Sequence, residues 1–149
     1  MQVYDAIHSI LRAKGQELYC LSPEASVYDA IAMMARKSAG ALPVLSDGRL
    51  VGIISERDYA RKVILQGKSS KDTTIAEIMT APVITVGPNE TVNECMRIMT
   101  SHRIRHLPVV DHGRVVGIVS IGDLVKWIIT AQEHTIHQLE CFIAGAYPR

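Results

Sequence analysis

Apolar positions recur in this chain in a helical register and an alternating register, and they do so twice in the same order. Val27, Ala30, Ile31 and Met34 stand at i, i+3, i+4 and i+7, and so do Val92, Cys95, Met96 and Met99. That spacing predicts one apolar helix face in each half. Ser26 and Thr91 precede these faces as N-caps, with Asp29 and Glu94 three residues later in capping-box position. Met and Cys on such a face serve as core filler. A short apolar strand opens each half, at 17–21 and 83–86, and Pro23 or Pro88 breaks it. Two β runs follow the helix, at 42–45 and 50–55 in the first half. Asp47-Gly48 and His112-Gly113 suit the positive φ of a tight hairpin turn. A further helix starts after Ser55 and after Ser120, so each unit reads β-α-β-β-α.

The order is repeated residue by residue. Residues 22–60 align with 87–125 at a constant offset of 65, without a gap. Leu42-Pro43-Val44 returns as Leu107-Pro108-Val109, and Gly52-Ile53-Ile54-Ser55-Glu56-Arg57-Asp58 as Gly117-Ile118-Val119-Ser120-Ile121-Gly122-Asp123. Such a duplication implies a pseudo-twofold relation, and ligand sites favour the seam between units. Gly52 and Gly117 lie inside a strand, where glycine marks either a bulge or the close approach of a ligand or backbone. The expected organisation is an N-terminal helical segment (1–15, with a helix over 3–12), a first repeat (16–66), a polar linker (67–74), a second repeat (75–130, opened by a helical turn at 75–79) and a C-terminal helix and tail (131–149). Leu124, Ile128, Gln132, Ile136, Leu139 and Ile143 give that last helix an apolar face for an intramolecular dock or a dimer interface. The fold class expected is mixed α/β (α+β).

Composition narrows the function. A chain of 149 residues holds one domain or two small halves sharing a core. A net charge of +1, with one Phe and one Trp, argues against a nucleic-acid or acidic-membrane partner. No apolar run approaches the roughly 20 residues of a membrane span, and the start of the chain lacks the character of a signal peptide. Cys20, Cys95 and Cys141 lack metal-type spacing and read as reduced thiols, which points to the cytoplasm. No nucleophile–base set, Walker loop or complete dinucleotide fingerprint is present, so the chain reads as no enzyme. His134, His137 and Cys141 share a helix side but lack a fourth ligand, and His102 with His106 makes a weak pair, so no metal is expected.

Ser55 with Asp58, and Ser120 with Asp123, place a carboxylate one turn into a helix behind a strand-end hydroxyl. Such a pair can cap the helix and nothing more. It can also accept hydrogen bonds from a sugar's hydroxyls while the free helix amides meet an anion.

The doubled Leu-Pro-Val, Gly-Arg hairpin and Gly-Ile-(Ile/Val)-Ser-x-x-Asp pattern resembles a tandem pair of cystathionine β-synthase (CBS) domains, a Bateman module, over about residues 15–130. The resemblance implies two repeats packed around a pseudo-twofold axis, with adenosine nucleotides (AMP foremost, or ADP, ATP, NAD(H) or S-adenosylmethionine) in two inter-repeat clefts. It also implies a flat homodimer and an energy-sensing or signal-transduction role, as in small stand-alone bacterial CBS-pair proteins. By that likeness Ser55, Asp58, Ser120 and Asp123 hold ribose. The segments before Leu-Pro-Val line the clefts. Gly40 and Ala41 leave room for a base, Arg103, Arg105 and His106 offer charge and donors to phosphate, and Arg57 is a second phosphate candidate. Tyr19, Cys20, Met79, Thr80 and Val83 flank the base. A cleft can combine the Ser/Asp pair of one repeat with the pre-Leu-Pro segment of the other. The competing expectation is a purely structural dimerisation or partner-binding module.

Overall fold

The computed structural model describes residues 4–15 and 17–144. In chain order the elements are α1 (Ile7–Lys14), α2 (Val27–Lys37), β1 (Ala41–Ser46), β2 (Arg49–Ser55), α3 (Glu56–Tyr59), a π-helical turn (Ala60–Ile64), α4 (Ile75–Ile78), α5 (Val92–His102), β3 (His106–Asp111), β4 (Arg114–Ser120) and α6 (Ile121–Ile143). The fold class is mixed α/β, with two small antiparallel sheets, β1–β2 and β3–β4, and a long C-terminal helix.

Local chemistry accounts for these elements. The Ser26 and Thr91 hydroxyls accept the amides of Asp29 and Glu94, capping α2 and α5. Glu94 bonds Arg97 rather than folding back on its cap, so this box is closed from one side. Both helices end in a left-handed residue, Ser38 at φ 53° and Arg103 at φ 55°. Asp47 and His112, both at φ 51°, start the hairpin turns, and each is followed by a positive-φ glycine. Both hairpins carry a register shift after the middle of the first strand, between Val44 and Leu45 and between Val109 and Val110.

The strands expected at 17–21 and 83–86 are reduced to single parallel bridges, Leu21 to Val44 and Val86 to Val109. One bridge satisfies little backbone, so these segments run extended without forming a ladder. The helix expected over 3–12 is shifted toward the C-terminus, and Val3 lies outside the described residues.

Two apolar cores result. Val27, Ala30, Met34, Leu42, Val44, Ile54 and Val63 pack with Ile75 and Ile78 of α4. Val92, Cys95, Met99, Leu107, Val109, Val119 and Leu124 pack with Ile7 and Ile10 of α1. The arrangement is crosswise: the N-terminal helix completes the core of the second repeat, and the helix between the repeats completes the core of the first. The linker is docked as well, since Ser70 and Thr73 carbonyls accept the Tyr28 and Val27 amides at the start of α2. Burial of Cys95 pushes its thiol up to about 12, as expected for packing without chemistry. Among the described residues no helix is long and apolar enough to cross a membrane.

Candidate functional site

β2 packs against β4 across the seam between the repeats. A cleft of about 490 Å³ opens there. Its walls come from both halves: Ser55, Arg57 and Asp58 from the first repeat, and Arg103, Arg105 and His106 from the second. Gly40, Ala41, Thr80 and Val83 also line it. The cleft thus joins one repeat's Ser/Asp pair to the other repeat's pre-Leu-Pro segment.

Ser55 ends β2 and caps α3. The Asp58 amide donates to Ser55 Oγ at 3.1 Å, and the Ser55 amide and hydroxyl both donate to Asp58 Oδ2 at 3.0 Å. This reciprocal box orients the carboxylate at the cleft floor. The other oxygen, Oδ1, receives Lys62 Nζ at 3.1 Å and the Thr80 hydroxyl at 3.4 Å. Thr80 is held by paired backbone bonds to Ile53, which tie the inter-repeat chain to β2. The cap therefore exists, and Oδ1 is the oxygen able to exchange its present donors for a sugar's hydroxyls.

Arg57 reaches across the seam and donates to the Arg103 carbonyl at 3.4 Å. Arg57, Arg61, Arg103 and Arg105 put four guanidinium-bearing residues on one cleft, a strong field for an anion. Ile53, Val83, Ile84 and Ile104 add apolar wall. The arrangement can hold a flat apolar ring, a polyhydroxylated sugar and an anionic group together.

Two expectations need correction. His106 does not supply charge: burial lowers its pKa, and nearby Lys14, Arg105 and Arg57 lower it further against the opposing pull of Asp123. The ring offers one donor or acceptor, set by its tautomer. Gly40 lines the cleft with its open side against His106, whose Nε2 would lie 3.1 Å from a Cβ there. Gly52 and Gly117 admit the chain's own side chains: a Cβ would meet Met79 Sδ at 2.4 Å and Leu11 Cδ2 at 2.7 Å. Of the two expected meanings the bulge applies, since the register shifts lie opposite these residues, while what comes close is a side chain and neither a ligand nor a backbone.

Tyr19, Cys20 and Met79 do not line the cleft. Tyr19 packs on the first core beneath Lys37, Cys20 is exposed, and Met79 lies over Gly52. Ser120 and Asp123 are outside it too. Their box repeats the first one, with the Asp123 amide 3.1 Å from Ser120 Oγ and the Ser120 amide 2.8 Å from Asp123 Oδ2, but Lys14 Nζ sits 2.7 Å from that same oxygen. Glu56, Arg61, Pro82 and Ile84 line the cleft without having been anticipated. Arg61 was accessible in principle, being one helical turn beyond Arg57. His134, His137 and Cys141 lie along α6, with Cys141 Sγ 3.7 Å from His137 Nε2, and no metal-binding group of three or more ligands occurs among the described residues.

Known proteins share this fold. The CBS domain model matches residues 15–64 and 75–130. The mitochondrial CBS domain-containing protein CBSX3 of Arabidopsis thaliana is 40% identical, with 95% of this chain and 73% of that protein covered. A protein with CBS domains from Burkholderia ambifaria has a solved structure at TM-score 0.81 and 50% identity, covering 85% of this chain and 96% of that one. The CBS domain pair of protein MJ0100, solved with 5′-methylthioadenosine and S-adenosyl-L-methionine, superposes at TM-score 0.77 and 32% identity, covering 86% and 98%. An inosine-5′-monophosphate dehydrogenase of Thermoplasma acidophilum matches at 32% identity over only 21% of its own length. With both repeats matched, and the pairing of halves across one cleft described, this chain belongs to the CBS domain family and carries two such domains in tandem.

Proposed function

We propose that this chain is a non-catalytic, cytoplasmic regulatory sensor that binds an adenosine nucleotide, AMP foremost and ADP, ATP or NAD(H) as related ligands. The observation that carries the reading is the composition of one cleft: the Ser55–Asp58 box faces Arg103 and Arg105 from the other repeat, with Arg57 and Arg61 alongside. In this reading Asp58 Oδ1 takes the ribose hydroxyls, Ile53, Val83, Ile84 and Ile104 enclose the base, and the arginines take the phosphate. The volume of about 490 Å³ lies within the range of small-molecule sites. The adenosine-derived ligands named for the MJ0100 pair support the ligand class.

Because the cleft is built from both repeats, a ligand that binds their closed arrangement more tightly shifts the equilibrium toward it. That is the sensing step. The reading includes a homodimer through the exposed seam of α6. Val125, Ile129, Gln132, Ile136, Leu139 and Ile143 alternate steps of four and three, the spacing of a coiled-coil seam.

A thermal-shift panel of AMP, ADP, ATP, NAD, NADH and S-adenosylmethionine tests the proposal. A ligand at about 100 times its Kd adds about 2.7 kcal/mol of stability. No shift with any of the six would favour a purely structural module.

A further inference from the structure

The cleft between the repeats holds a titratable ring that its sequence counterpart lacks. His106 opens β3 and pairs with Ser120 at the end of β4. The position 65 residues earlier is Ala41. The His106 ring crosses the seam and lies on Gly40 of the first repeat, where a Cβ would meet Nε2 at 3.1 Å and Cε1 at 3.3 Å. It is half-buried and lines the cleft.

Charged groups face the ring from each neighbouring element. Lys14 comes from α1, Glu56 and Arg57 from α3, Arg105 from the segment before β3, and Asp123 from α6. Glu56 Oε1 stands 4.0 Å from the same Cβ position that Nε2 approaches. Burial disfavours the imidazolium most, Asp123 pulls the other way, and Lys14, Arg105 and Arg57 disfavour it further. Two of those three cations, Arg57 and Arg105, are cleft-wall residues from opposite repeats. They help hold the ring neutral as long as their own charge is unopposed.

An anion seated between them reverses the balance. It offsets both guanidiniums and brings a negative charge of its own toward the ring. A ligand also buries the ring further, which opposes protonation. An opposite charge within about 4–6 Å outweighs that increment in a ring already half-buried.

We infer that His106 takes up a proton when a phosphate group enters the cleft, so that affinity for a phosphorylated ligand rises as pH falls while affinity for the uncharged nucleoside does not. The sign follows from linkage. The occupied state holds more protons than the free state, so lowering the pH favours binding, by up to about tenfold per pH unit. This rests on the nucleotide reading for the identity of the ligand, but the proton linkage should appear with any phosphate-like anion in the cleft.

Calorimetry near neutral pH, in buffers of different ionisation enthalpy, counts the protons. AMP is the phosphorylated ligand, adenosine the uncharged one, and His106→Asn the variant. The phosphate's own titration is common to both proteins and cancels between them. With AMP, wild type should take up a fraction of a proton more than His106→Asn, and with adenosine no more than the variant. Equal counts with AMP, or the same excess with adenosine, overturns the inference. NMR titration of the His106 ring in wild type, with and without inorganic sulfate at constant ionic strength, depends on neither the variant nor AMP. Sulfate stays a dianion across this range, and the ring's midpoint should rise with it. An unmoved midpoint also overturns the inference. If AMP fails to bind, the nucleotide reading falls, and the sulfate titration still decides the proton linkage.

Discussion

Arg103 offers a substitution with opposite consequences for stability and binding. It sits at φ 55° and ψ 42°, the left-handed region, where it closes α5 by donating its amide to the carbonyls of Met99 and Thr100. Holding a side chain in that conformation costs about 1–2 kcal/mol relative to glycine. Glycine returns about 0.4–1 kcal/mol of that as extra entropy of the unfolded chain. Arg103→Gly should therefore raise stability by up to about 1 kcal/mol, or roughly 2–4 °C in Tm. Ser38→Gly repeats the geometry at φ 53° on α2, without a cation, and should stabilise similarly. Binding should move the other way for Arg103 alone. Losing one charge-assisted bond to phosphate costs about 1.5–3 kcal/mol, roughly ten- to a hundredfold in Kd. Denaturant titration and calorimetry with AMP on both variants give the two readouts. Unchanged AMP affinity in Arg103→Gly would refute the phosphate role. A loss of stability in both variants would refute the argument from backbone strain.

Gly52→Ala should cost about 1–3 kcal/mol by overpacking, because its Cβ falls 2.4 Å from Met79 Sδ, and should weaken nucleotide binding by displacing the neighbouring Thr80; a melt unchanged from wild type would contradict this. Burial keeps His106 neutral, so on acidification the unfolded chain takes up a proton first. Stability should therefore fall as pH drops below the ordinary value near 6.5 and lose this dependence above it. Denaturant curves at mildly acidic and neutral pH should show a smaller difference for His106→Asn than for wild type, and an equal difference would remove His106 as the cause. Ile136→Asp places a charge in the exposed α6 seam and should convert a dimer to monomer in sedimentation, whereas an unchanged mass would show that α6 is not the interface.

The repeated helices and hairpins were legible because their signals are local: a cap, an apolar face, a turn pair. The segments at 17–21 and 83–86 were not, since single bridges at Leu21 and Val86 depend on where β1 and β3 fall in space. The Ser55–Asp58 pair and the arginines before Leu107 could be named from sequence, but their convergence on one cleft is a product of the β2–β4 seam. The ion pair between Lys14 and Asp123 was hidden for a different reason. Lys14 lies outside the 65-residue register, and it meets Asp123 only because α1 carries it there in space. Tyr19 stands before Leu21 as the cleft-lining Ile84 stands before Val86, yet Tyr19 is drawn onto the first core, and Cys20 lies at the surface.

The most direct test of the central claim is calorimetric titration of AMP into wild type and Asp58→Ala, with folding of the variant checked by its melt. The account predicts one saturable site per chain in wild type and a clear loss of affinity in the variant, because Asp58 Oδ1 is the acceptor offered to the ribose. Wild-type affinity retained in a folded Asp58→Ala would contradict it.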